Sequence, residues 1–397
     1  MMPRKHALRY LLISFGIQLY ALQVAAQPLG VRIDSLLAAS QGLMSRIQVG
    51  LCVYDLTADS LVYVRGERQR MRPASNMKLV TAITALDYLG VDYRYRTVFS
   101  LDTSRIDSLG VLHDRLFVRG GMDPLLGRSD LESVARDLSR LGVREIEGGL
   151  CFDMSIKDSK KWGEGWCWDD DAETNPTLAA LLCNGKPNFE DNLILALARE
   201  DIRVRGYASQ SYRSEGAQYE IVMLRPVSEV LRPMMKQSDN LMAESLFYQI
   251  ASASGGDFSG REAAAKAMEH LVARLGLVPS DYYFADGSGV SLYNYVSPEL
   301  IVRLLRYAWQ HGDIYEALLP TLPVAGRDGT LSTRMVSGPA AGNVKAKTGT
   351  CTGVSTLGGY ATDGRGHRLC FSIMCQGQPA ARLARELQDR ICQELVR

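Results

Sequence analysis

Arg72-Pro73-Ala74-Ser75-Asn76-Met77-Lys78 marks the point where a strand-and-turn region gives way to a helix. Before it, Val49 to Val64 alternates as strand, turn and strand, with Thr57-Ala58-Asp59-Ser60 as the turn. After it, Asn76 to Leu89 turns helical, with Leu79, Ile83 and Leu86 on one side. Ser75 therefore opens a helix, and Lys78, three residues on, shares its face and can reach the Ser75 hydroxyl. A serine hydroxyl is a weak nucleophile near neutral pH and needs a neighbouring base. Lysine serves once burial and a second nearby cation, such as Lys347, lower its pKa. Arginine cannot, because it keeps its proton. The chain holds ten lysines against 35 arginines, so two lysines at motif positions carry weight. The helix dipole and free N–H groups beside Ser75 favour negative charge there.

Outward from this segment the chain reads as α+β. Short strands follow at Tyr93–Leu101 and Val111–Val118, then a helix from Ser129, a fitting N-cap, through Leu141, and a strand over Glu145–Phe152. An aromatic-rich stretch, Trp162 to Trp168, ends in Asp169-Asp170-Asp171. A helix over Phe189–Ala198 and strands over Ile202–Tyr207 and Tyr219–Leu224 close the region. From Val227 the chain is helical again. It ends in strands over Val344–Lys347, Ser355–Ala361 and His367–Cys375 and a helix over Ala380–Leu395. A length of 397 residues suits two domains at roughly 150 residues each. The expected division is one domain from 27–92 and 225–397, with 93–224 inserted into it.

The first 26 residues read separately. Arg4, Lys5 and Arg9 precede a mostly apolar run, Tyr10 to Leu22, and Val24-Ala25-Ala26 offers the small residues a signal peptidase reads. The expectation is a secretory signal peptide cut after Ala26, a periplasmic product, and no integral membrane segment after its removal. Lys+Arg 45 against Asp+Glu 44 gives no basic excess for a nucleic-acid partner. Export permits disulfides, and Cys151, Cys167 and Cys183 lie near enough in sequence for one pair among them. Cys370 and Cys375, five apart on a strand, face opposite ways and should not pair. With no C-x-x-C and only scattered histidines after the leader, neither a metal nor another cofactor is expected.

Two more segments complete the chemistry: Ser238-Asp239-Asn240, opening a helix, and Lys347-Thr348-Gly349, near a strand end and followed by Thr350. Each alone has an ordinary explanation, as a helix start, a helix cap and a strand end with a turn glycine. Together, in this order and on these elements, they match the motif set of serine penicillin-recognising enzymes. The chain resembles the penicillin-binding D-alanyl-D-alanine carboxypeptidase/endopeptidase family that carries a large insert between its first two motifs. Similar segments include Ser238 to Glu244, Asp286-Gly287-Ser288-Gly289, Ala325 to Leu331, Ala346 to Thr350, Gly120 to Pro124 and Gly165 to Asp170.

The resemblance implies a penicillin-recognising, β-lactamase-like domain, an antiparallel sheet flanked by helices, with a smaller inserted α+β domain. It implies that Ser75 attacks the carbonyl of a penultimate D-Ala and that Lys78 is its base. Ser238 relays a proton to the leaving amine, and Asn240 binds the substrate peptide group. Lys347 and Thr348 hold the terminal carboxylate, Gly349 belongs to the same motif, and the N–H groups of Ser75 and Thr350 form the oxyanion hole. Asp170 matches an acidic position facing a diaminopimelate amino group. The implied partners are peptidoglycan stem peptides and cross-links, with β-lactams as covalent inhibitors. Ser75 and Ser238 are 163 positions apart, too few for the third domain of the longest family members.

Rival readings fare worse on the residues. A serine β-lactamase of the best-known kind needs a Glu-x-x-Leu-Asn segment after Ser-Asp-Asn, and Glu269-His270-Leu271-Val272 does not fit. A catalytically idle cell-envelope binding protein has no need of Ser75 and both lysines. No Gly-x-Ser-x-Gly elbow exists for a Ser-His-Asp hydrolase.

Overall fold

The computed structural model describes residues 28–169, 175–210, 218–254, 260–377 and 380–397. The expected leader, 1–26, lies outside them. Apolar runs from both chain regions meet in one antiparallel sheet. Its order is Lys345–Cys351, Val354–Thr362, Arg368–Gln376, Gln48–Asp55 and Ser60–Arg65. Val354–Thr362 is buried nearly throughout, as a strand covered on both faces must be. On one face Ile33 and Leu37 of helix Leu29–Ala39 pack with Leu387 and Ile391 of helix Ala381–Leu395. On the other face lie helices Met77–Leu89, Val227–Lys236, Asn240–Ala253, Arg261–Arg274 and Pro298–Gln310, which share a second core. No described helix is long and apolar enough to cross a membrane.

The stretch between Arg94 and Pro226 builds its own sheets. One is mixed, in the order Tyr219–Pro226, Arg94–Leu101, Leu116–Arg119, Leu150–Asp153 and Ser209–Gln210. The other is a small parallel one of Val111–Leu112, Glu145–Ile146 and Arg203–Val204. Helices Arg128–Arg140 and Phe189–Arg199 close a third core around Phe99, Leu131, Val134, Phe189 and Leu193.

Several expectations change. The single strands anticipated over 111–118 and 145–152 are each two short strands in different sheets. Gly148 and Gly149 break the second, Gly149 at φ +79°. Helix Arg128–Arg140 starts one residue before Ser129. Its leading N–H, on Gly127, donates to Asp130 Oδ2 at 2.9 Å, so aspartate rather than serine fixes the start. The strand carrying Lys347 runs on to Cys351, which puts Lys347 mid-strand. The anticipated disulfide is absent: Cys151 and Cys183 are buried separately on a strand and a turn, Cys167 is half-buried, and all three are free thiols.

Candidate active site

The site forms where the first turn of helix Met77–Leu89 meets the free edge of the sheet. Ala74 takes a left-handed φ of +44°, swinging the chain into a 3₁₀ turn, Ala74–Asn76, that runs into the helix. An alanine pays for that conformation in backbone strain, of order 1–2 kcal/mol, and must be held there by its surroundings. Two hydrogen bonds hold the turn against the sheet, one to the edge strand and one to its neighbour. Asn76 Nδ2 donates to the Lys347 carbonyl at 2.9 Å, and Thr356 Oγ1 donates to the Pro73 carbonyl at 2.7 Å. Gly349 lets strand and turn close up, because a Cβ there would stand 2.7 Å from Pro73 O and 2.9 Å from Ser75 N.

Ser75 is thereby left half-buried with its Oγ 3.0 Å from Lys78 Nζ. Lys78 is fully buried. Its Nζ also donates to Asn240 Oδ1 at 2.7 Å and to the Ser288 carbonyl at 2.8 Å. A neutral amine has two protons and one lone pair. With both protons spent on oxygens that only accept, the lone pair is left for the Ser75 hydroxyl. Burial pushes the Lys78 pKa down to about 8, against the opposing pull of Asp286, Glu244 and Asp239.

Beneath Lys78 lies a buried carboxyl pair. Asp286 accepts from Gly289 N (2.8 Å), Asn294 Nδ2 (2.6 Å), Ser291 N (2.6 Å) and Ser288 Oγ (3.3 Å), and from the indole of Trp166 (2.9 Å). Glu244 Oε1 accepts from Gly287 N at 3.0 Å and Ser288 N at 2.8 Å. Burial first and Asp286 second push the Glu244 carboxyl well above the usual carboxylate range.

The Ser238-Asp239-Asn240 turn bridges the two lysines. Ser238 sits at φ +65°, and Asp239 caps the following helix by accepting from Met242 N at 3.0 Å. That geometry sends Asn240 to Lys78 and Ser238 to the edge strand, where its Oγ is 2.8 Å from Lys347 Nζ. Lys347 is fully buried and also donates to the Thr348 carbonyl at 2.8 Å. Burial, then the nearness of Lys78, holds it well below the usual lysine range. Thr348 Oγ1 donates to Thr330 Oγ1 at 2.7 Å. A cavity of about 420 Å³ opens over these groups, lined by Ser75, Ser238, Thr348, Thr350 and Thr330 among others.

Eight of the nine candidate residues thus converge: Ser75, Lys78, Ser238, Asn240, Lys347, Thr348, Gly349 and Thr350. Asp170 lies outside the described residues. Burial and a second cation were expected to depress Lys78. Burial does so, and the charge of Lys78 in turn depresses Lys347. Sequence reasoning gave no role to Asp286, Glu244 or Trp166, all three in segments quoted for the resemblance, or to Arg334 and Arg385, which line the cavity and sent no local signal.

A model of the D-Ala-D-Ala carboxypeptidase 3 (S13) family matches residues 30–186 and 184–395. The chain belongs to that family. Among similar relatives, the D-alanyl-D-alanine carboxypeptidase DacB of Haemophilus influenzae is 25% identical over 420 residues, covering 85% of this chain and 87% of its own. The D-alanyl-D-alanine carboxypeptidase of Actinomadura sp. (strain R39) is 28% identical over 441 residues, covering 87% and 81%. The crystal structure of penicillin binding protein 4 (dacB) from Haemophilus influenzae superposes with a TM-score of 0.82 at 23% identity, over 91% of this chain and 99% of that one. This S13 chain therefore has the penicillin-binding-protein fold, α+β with an antiparallel sheet between helices. It is a serine-type member of the family, with its motif serine at the helix start.

Proposed function

We propose that this S13 chain hydrolyses peptides ending in D-Ala-D-Ala, and D-Ala cross-links of peptidoglycan, through an acyl-enzyme on Ser75. The observation that carries the reading is the environment of Lys78, whose lone pair is directed to Ser75 by two acceptors on its protons. The Ser75 proton passes to Lys78 Nζ as Oγ bonds to the carbonyl carbon of the penultimate D-Ala. The negative oxygen that develops is met by the N–H groups of Ser75 and Thr350. When the C–N bond breaks, the leaving amine takes a proton relayed through Ser238. Water then adds to the ester, giving up its proton to Lys78, and collapse of that intermediate frees Ser75.

Asn240 holds the substrate peptide group, and Lys347 with Thr348 receives the carboxylate of the leaving residue. Asp170 faces the amino group of diaminopimelate in this reading. Residues 93–224 form an inserted domain, residues 1–26 are a cleaved leader, and the enzyme works in the periplasm. Penicillin enters as a carboxylate-bearing acylating agent and stays bound, since no Glu-x-x-Leu-Asn segment to activate a deacylating water follows the Ser-Asp-Asn motif.

Mass spectrometry after incubation with benzylpenicillin should find one adduct, on Ser75, and none on Ser75→Ala. An unmodified wild-type protein would overturn the acyl-enzyme, and rapid turnover of nitrocefin would favour a β-lactamase. Chromatography of muropeptide monomers and cross-linked dimers after incubation should show loss of terminal D-Ala, cleavage of the dimers, or both.

A further inference from the structure

Thr350 has a partner that the three motifs do not contain. Arg385, on the C-terminal helix Ala381–Leu395, donates from Nη2 to Thr350 Oγ1 at 3.2 Å. It lines the same cavity as Ser75, Ser238 and Thr348. The helix cannot roll freely: Ala384, Leu387 and Gln388 are buried beneath it, and Arg334 Nη2 donates to the Arg385 carbonyl at 3.3 Å.

The neighbouring charges leave Arg385 distinct. Arg334 is neutralised by Asp389, with Nε at 3.0 Å and Nη2 at 2.6 Å from Oδ1. Glu386, the adjacent acid, is turned to Arg382 at 2.7 Å. Among the described residues no carboxylate lies within 4 Å of the Arg385 guanidinium. Lys347, the other basic group toward Thr348, is fully buried, and burial together with the nearness of Lys78 disfavours its charged form. The standing positive charge at this wall of the cavity is therefore exposed, solvated and borne by Arg385.

We infer that Arg385 is a specificity residue: its guanidinium, beside the Thr350 hydroxyl, pairs with the carboxylate of the residue that leaves, so that the site favours D-amino-acid termini with a free acid. The inference rests on the proposed reaction, and it assigns this arginine to the substrate class bearing an anion next to the scissile bond. A charged hydrogen bond of this kind is worth about 1.5–3 kcal/mol, or about 10- to 100-fold in affinity.

The test compares diacetyl-Lys-D-Ala-D-Ala with its C-terminal methyl ester, on protein with Arg385 and on Arg385→Gln and Arg385→Lys. Kinetics should give Arg385→Gln a KM for the acid raised about 10- to 100-fold with kcat changed less than about threefold. Arg385→Lys should recover part of the loss. Calorimetric binding to the same proteins carrying Ser75→Ala should show the acid weakened and the ester unchanged. Equal losses for acid and ester, or no loss for either, would overturn the inference. The binding arm needs no turnover, so it decides the role of Arg385 even if wild-type protein forms no acyl-enzyme. Absence of an adduct on Ser75 would count against the proposed reaction alone.

Discussion

The acylation rate should follow the free-amine form of Lys78, and its dependence on pH can be worked out in advance. Burial brings this amine to about 8 from an ordinary value of 10.5. The unprotonated share is then about 1% at pH 6, about 9% at pH 7 and about 90% at pH 9. An exposed lysine would offer about 300-fold less free amine at pH 7. The second-order rate of Ser75 acylation by a fluorescent penicillin, followed by stopped flow from pH 6 to 9, should therefore rise about tenfold per unit and level off beyond 8. The penicillin carboxylate stays ionised throughout, so the reagent contributes no inflection. Lys78→Arg, which cannot release its proton, should give no measurable acylation at any of these pH values while binding of the unreacted penicillin persists. A flat profile, or a rate still climbing tenfold per unit at pH 9, would refute Lys78 as the base.

Glu244→Gln keeps an acceptor for Gly287 N and Ser288 N but can never become anionic. The midpoint of the acylation profile should move to lower pH, because ionised Glu244 otherwise retains the proton on Lys78; an unchanged midpoint would deny that coupling. Gly349→Ala would place a methyl 2.9 Å from Ser75 N and 2.7 Å from Pro73 O, so the edge strand must retreat. Acylation should fall by about 100-fold or more and stability by about 1–3 kcal/mol in urea denaturation, and wild-type rates would contradict the close approach. Trp166→Phe removes the indole donor from Asp286 Oδ2, and denaturation should register a loss of about 1.5–3 kcal/mol. A loss under about 0.5 kcal/mol would mean that solvent replaces that donor without cost.

What the sequence revealed was local. Ser75 and Lys78 lie within one helical turn, Ser238 and Asn240 within one cap, and Lys347 to Thr350 along one strand, so spacing alone aligned the members of each set. The long strands near the C terminus were legible for the same reason, as continuous apolar runs. Between Arg94 and Pro226 the strands are two to four residues long in several places, and glycines interrupt the pattern on which a period-two reading depends. The hidden parts of the site are those joined only by packing. Asp286 reaches Trp166 across 120 positions, and Arg385 reaches Thr350 from a helix on the opposite face of the sheet from Met77–Leu89. The motif set could say that Lys347 would stand near Lys78, but which lysine yields to the other depends on burial and on the carboxyl groups below.

Those carboxyl groups give the two lysines different work. Both are fully buried, and both would lose basic strength on that account alone. Lys78 has Asp286, Glu244 and Asp239 near enough to restore part of it, and it settles at about 8. Lys347 has no such support: only burial and the charge of Lys78 act on it, and both push it down. A proton released by Ser75 is thus held more firmly on Lys78 than on Lys347, although Ser238 links the approach to both. A stronger base would be fully protonated at working pH and unable to accept, while a weaker one would give little pull on the hydroxyl. A buried carboxyl pair under an amine, which looks at first like an obstacle to a neutral base, is what keeps that base strong enough to act. When a carboxylate-bearing substrate arrives, its charge favours protonation of Lys347, and the proton preference between the two lysines narrows as the peptide docks. In the proposed reaction, proton return to the leaving amine runs through Ser238, the hydroxyl already placed against Lys347.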